Sequence, residues 1–77
     1  MNTRIHLKIY GRVQGVFFRR AAREKMNEWG LNGWVKNCEE GCVETEVEGE
    51  ESAVKKYREW CTIGPRWAKV ERIEKFT

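Results

Sequence analysis

The chain has 77 residues, 40% of them hydrophobic, with four Trp, three Phe, two Tyr and a formal charge of +3. That length suits a single domain spanning 1–77, near the size at which only about 60% of the unfolded surface becomes buried, and the apolar content excludes a disordered chain. No apolar run approaches the ~20 residues needed to cross a bilayer. The N-terminal MNTRIHLKIY alternates instead of forming a leader core, and an odd count of three cysteines suits a reducing compartment. The expectation is a cytoplasmic, free-standing protein.

Charge is segregated. Residues 1–25 carry Arg4, Lys8, Arg12, Arg19, Arg20, Arg23 and Lys25 against Glu24 alone, whereas 39–51 carry seven glutamates and no base. A nucleic-acid binder is more often basic throughout.

From Arg4 to Tyr10, Ile5, Leu7 and Ile9 alternate with His6 and Lys8, a strand with one buried face. Phe18, Ala22, Met26 and Trp29 recur at helical spacing, and Gly30 is the stop. NGWVKN (32–37) reads as a second strand and Glu39-Glu40-Gly41 as a tight turn. Val43, Thr45 and Val47 then alternate with Glu44, Glu46 and Glu48 as a third strand, its glutamates on a solvated face. Residues 50–62 form a second helix with either Val54, Tyr57 and Cys61 or Ala53, Tyr57 and Trp60 inward, ended by Gly64-Pro65. WAKVERIEKF (67–76) closes as a fourth strand, with a bulge where Val70 and Ile73 break the alternation.

The order β-α-β-β-α-β gives an α+β fold, a ferredoxin-like βαββαβ sandwich: a four-stranded antiparallel sheet of order 4-1-3-2 with two helices on one face. The end of the first strand, GRVQGVFFR, and the end of the second, Asn37, then share a rim. The third strand lies between them, at two strand spacings or roughly 10 Å.

GRVQGVFFRR (11–20) therefore links a strand to a helix N-terminus, where unpaired backbone N–H groups and the helix dipole favour an anion. Gly15 lets the backbone curl, and Arg19 can add a bidentate guanidinium. The spacing fits neither a Walker motif nor a dinucleotide fingerprint. Read from the residues alone, an ordinary strand–helix connection with surface arginines weighs about as much as an anion seat.

GRVQGVFFR, then Asn37 in GWVKN, GCV, VEG and GPRWAKV, resembles the acylphosphatase family across nearly the whole chain. The resemblance implies the same ferredoxin-like fold and hydrolysis of small acyl phosphates. It implies a cradle of backbone N–H groups from Gln14, Gly15, Val16, Phe17, Phe18 and Arg19 for the phosphate, with Arg19 and Asn37 catalytic and Asn37 placing the attacking water.

An acyl phosphate is a mixed anhydride whose carboxylate leaves without protonation, so positioning and charge dispersal suffice. The sequence has no aspartate and one histidine, His6, mid-strand. No metal, cofactor or covalent intermediate is expected. Cys38 and Cys42 bracket the 39–41 turn with C-x3-C spacing, unlike zinc or redox motifs. They read as separate thiols, with a cross-strand disulfide the lesser alternative, and Cys38 stands where acylphosphatases usually carry a hydroxyl. Trp29, Trp34, Trp60 and Trp67 read as core or sheet-packing groups, and Arg20 and Arg23 as exposed contributors to a positive field. The other readings are a non-catalytic anion- or RNA-binding ferredoxin-like module and a relative used for protein contacts. Glu44, Glu46 and Glu48 oppose RNA binding on the sheet. The expected partner is a small-molecule acyl phosphate, with no nucleic acid, no membrane and a monomeric state.

Overall fold

The computed structural model describes residues 1–76. In chain order it has β1 (Asn2–Arg12), α1 (Phe18–Glu28), β2 (Asn32–Asn37), β3 (Val43–Glu50), α2 (Glu51–Cys61) and β4 (Lys69–Lys75). The sheet order is β2-β3-β1-β4 with every neighbouring pair antiparallel, the expected topology read from the other edge.

Alternation decides the layers. Ile5, Leu7 and Ile9 of β1 and Val43 and Val47 of β3 turn one face inward, onto Phe18, Ala22 and Met26 of α1 and Val54, Tyr57 and Cys61 of α2. The second helix thus uses the first of its two candidate stripes, with Ala53 and Trp60 partly buried at its margin. Among the described residues one polar residue, Thr45, is buried in this layer, and its hydroxyl donates to the Trp34 carbonyl at 2.8 Å. With that hydrogen committed, the Tyr57 hydroxyl is the donor in the 2.9 Å bond between them.

The start of the fourth strand and the place of Trp67 need correction, and the reading of the glutamate face needs extending. The fourth strand begins at Lys69, because Pro65–Trp67 form a turn closed by the Ala68 N–H donating to the Pro65 carbonyl at 3.0 Å. The bulge is present: Tyr10 pairs with Arg72 and Gly11 with Val70, leaving Glu71 as the extra residue. The glutamate face does lie on the open side of the sheet, but it is a cross-strand charge ladder and not merely solvated. Arg4 reaches Glu46 and Glu48 at 3.5 and 3.3 Å, His6 pairs with Glu44, and Lys36 lies 3.9 Å from Glu44. Trp34 packs edge-on to His6 on this face, as a sheet-packing group, but Trp67 is 61% exposed and belongs to neither core nor sheet.

Candidate active site

β1 and β2 both run antiparallel to β3 and so end at the same rim, where β4 begins. The loop after β1, Asn37 at the end of β2 and the turn before β4 therefore gather along one edge of the sandwich. Asn37 stands on one flank of the loop and the 64–68 turn on the other.

The loop curls by alternating hand. Gly15 has φ 74° and Phe17 φ 65°, while Val16 between them is not left-handed. Such alternation turns successive amides toward one concavity. Phe17 is also the N-cap of α1, with no side-chain capping bond, and the first helical turn contains no acid. The first internal helix bond runs from the Ala21 N–H to the Phe17 carbonyl at 3.0 Å. Among the described residues, the amides of residues 14–20 have no hydrogen-bond acceptor. A helix start left uncapped, with arginines where acids are usual, is a place where the backbone and the side chains both favour negative charge.

A cleft of about 350 Å³ opens over this concavity, lined by Val13, Gly15, Phe17, Phe18, Arg19, Arg20, Arg23 and Asn37. Arg19 and Asn37 thus line one cleft, with no direct hydrogen bond between their side chains among the described residues, as the two-strand separation suggested. Arg19 and Arg23 have no acid within ion-pair distance among the described residues, while Arg20 leans on Glu24 at 3.8 Å. Arg20 and Arg23 are exposed, as expected, but they also line the cleft. The 19/20/23 spacing, which puts all three on adjoining turns of one helix flank, was the available signal. Val16 points into the core, 6% exposed, so only its main chain is available to the cleft.

Gln14 does something the sequence did not disclose. Its side-chain Nε2 donates to the carbonyls of Cys38 and Cys42 at 2.8 and 2.9 Å, tying the loop to the hairpin that carries Asn37. That hairpin is closed by a Cys38–Cys42 disulfide, correcting the expectation of separate thiols. The tight 39–41 turn brings the two Cα atoms to 5.0 Å, within bridging reach, and the Cys38 N–H donates to the Cys42 carbonyl at 2.8 Å. Cys38 therefore has no thiol hydrogen to offer Asn37, and the pairing withdraws the support that free thiols lent to a reducing compartment. Cys38, Glu40 and Cys42 converge closely enough to suggest a metal site, but both sulfurs are consumed in the bridge. Cys61 is free and buried, and burial pushes its thiol up to about 12, which makes it inert as a nucleophile.

Fold and cleft together define a small α+β sandwich with a cleft lined by Arg19, Arg20, Arg23 and Asn37 on one rim. The sequence profile of the acylphosphatase family matches residues 5–77. An acylphosphatase of Roseiflexus sp. strain RS-1 is 52% identical over 71 residues, 92% of this chain and 76% of that protein. The structure of an acylphosphatase from Coxiella burnetii superposes with a TM-score of 0.92 at 41% identity, covering 97% of this chain and 79% of that one. The acylphosphatase from Bacillus subtilis gives 0.92 at 36% identity, over 99% and 83%. The chain belongs to the acylphosphatase family of enzymes.

Proposed function

We propose that this chain hydrolyses small acyl phosphates to a carboxylate and inorganic phosphate. The phosphoryl group sits on the amides of residues 14–19, and Arg19 shares the charge of its equatorial oxygens. Asn37 holds a water through its amide and aims it at phosphorus. As the water oxygen bonds to phosphorus, the bond from phosphorus to the acyl oxygen breaks. The electron pair leaves on the carboxylate, and both hydrogens of the water end on the phosphate. The carboxylate is stable as an anion, so no side chain has to protonate it, and the cleft offers none that could. The step needs no metal and no covalent intermediate.

The observation that carries this reading is the run of unpartnered amides from 14 to 20 beside an unpaired Arg19, in the cleft that also holds Asn37. In the same reading the enzyme works as a cytoplasmic monomer on a diffusing substrate and does not bind nucleic acid. The glutamates of β3 cover the open sheet face on which an RNA-binding relative would stack bases.

The test is phosphate release from acetyl phosphate with a chelator present. The protein is expected to turn over, to be inhibited competitively by inorganic phosphate, and to lose activity in Arg19→Ala. No release, release abolished by the chelator, or an unimpaired Arg19→Ala variant overturns the proposal.

A further inference from the structure

Resting on that reading, we propose that a second cleft on the far flank of the phosphate seat receives the acyl part of the substrate and favours aromatic acyl groups. This cleft, of about 390 Å³, is lined by Phe17, Arg20, Glu24, Pro65, Arg66 and Trp67. It shares Phe17 and Arg20 with the first cleft, so the two adjoin along the loop.

Topology sets its role. In-line displacement places the entering water and the departing carboxylate on opposite sides of phosphorus. Asn37 ends β2, at one edge of the sheet, and Trp67 precedes β4, at the other, with the curled loop after β1 between them. A water held at Asn37 directs the acyl group toward Trp67.

The lining residues are otherwise uneconomical. Phe17 is the one non-glycine residue with positive φ among those described, and it is 64% exposed. A bulky side chain in the left-handed region is strained, and at this exposure little burial offsets the strain. Trp67, 61% exposed, stands across the cleft with the Arg66 guanidinium 5.1 Å from its ring centre. Its turn is held close to the loop because Gly64, at φ 73°, has no Cβ: one placed there would lie 2.7 Å from the Phe18 ring. Phe17 and Trp67 bring exposed aromatic surface to one cleft, which suits an aromatic group seated against them. Arg20, already engaged by Glu24, adds little net charge to that cleft.

The experiment compares benzoyl phosphate with acetyl phosphate for the unsubstituted protein, Trp67→Ala and Trp67→Phe. In parallel, calorimetry measures binding of phenylphosphonate and methylphosphonate. Trp67→Ala should lower kcat/KM for benzoyl phosphate about three- to tenfold, mainly through KM, and leave acetyl phosphate within about twofold. Trp67→Phe should recover most of the loss. Phenylphosphonate should bind the unsubstituted protein more tightly than methylphosphonate, with the advantage gone in Trp67→Ala. Equal losses on both substrates, no loss on benzoyl phosphate, or an advantage that survives in Trp67→Ala overturns the proposal. Failure of the unsubstituted protein to cleave acetyl phosphate would instead refute the hydrolase reading, and the phosphonate comparison would still decide what the second cleft binds.

Discussion

Gln14 is the side chain whose removal should loosen the site without emptying it. Its two hydrogen bonds span from the loop after β1 to the hairpin after Asn37. In Gln14→Ala neither carbonyl is orphaned, because the Cys42 oxygen keeps the Cys38 N–H and the Cys38 oxygen keeps the Gly41 N–H at 3.2 Å. The cost is therefore the net worth of two ordinary bonds, about 1.5 kcal/mol, or a melting temperature lower by roughly 6–12 °C for a domain of this size. Gln14→Glu keeps the length but replaces the donor with an ionised acceptor facing two carbonyl oxygens, and should cost about 3 kcal/mol at neutral pH. Those oxygens raise the introduced carboxyl above its ordinary value of about 4.3, and the protonated acid regains an O–H donor. The deficit is thus complete above the raised pKa and shrinks as pH falls through it toward the ordinary value. Thermal melts of both variants between about pH 4 and pH 8, paired with phosphate-release rates, test this directly. Glutamate no worse than alanine at neutral pH, or a glutamate deficit that ignores pH, would refute the tether.

Asn37→Ala should lose about 100-fold in kcat while inorganic phosphate inhibits it, and raises its melting temperature, as in the unsubstituted protein. Gly64→Ala should destabilise by about 2 kcal/mol in urea titrations, from the left-handed backbone and the displaced Phe18 ring. Reducing Cys38–Cys42 should cost about 2 kcal/mol, the modest value for so short a loop, and thiol labelling of the unreduced native protein should find none of its cysteines reactive. The Arg72 guanidinium, and then the Tyr10 hydroxyl, hold the Glu74 carboxyl below its ordinary range. Its contribution is present above the ordinary carboxylate pKa and is lost as pH falls through the depressed one, so Glu74→Gln should flatten the acid limb of the stability–pH curve.

The fold was legible because its signals are local and agree with one another. The period of two in Ile5–Leu7–Ile9 and Val43–Thr45–Val47, and the stripe Phe18–Ala22–Met26, each assign a buried face that the other elements can cover. The shared rim of the loop and Asn37 followed from the topology. What stayed hidden depends on three-dimensional register. Gln14 could be read as a loop amide, but its partners are carbonyls 24 and 28 residues away. C-x3-C spacing alone does not say whether the two sulfurs meet, and although the helical stripe places Phe18 inward, nothing in the sequence gives Phe17 its left-handed backbone. Trp67 and Ala68, at the end of the Pro65–Trp67 turn, read as the start of the last strand because Trp is an ordinary strand residue, and only the hydrogen bond from Ala68 to Pro65 ends that reading.

Every side chain assigned to the phosphate chemistry lies within residues 14–37, yet the strand that separates the two halves of the rim is β3, Val43–Glu50. A fragment ending at Asn37 would hold all the reactive groups and none of their spacing. Recovery of turnover after dilution from denaturant should consequently track insertion of that later hairpin arm, not formation of the first helix, so that enzymatic assay doubles as a clock for completion of the sheet.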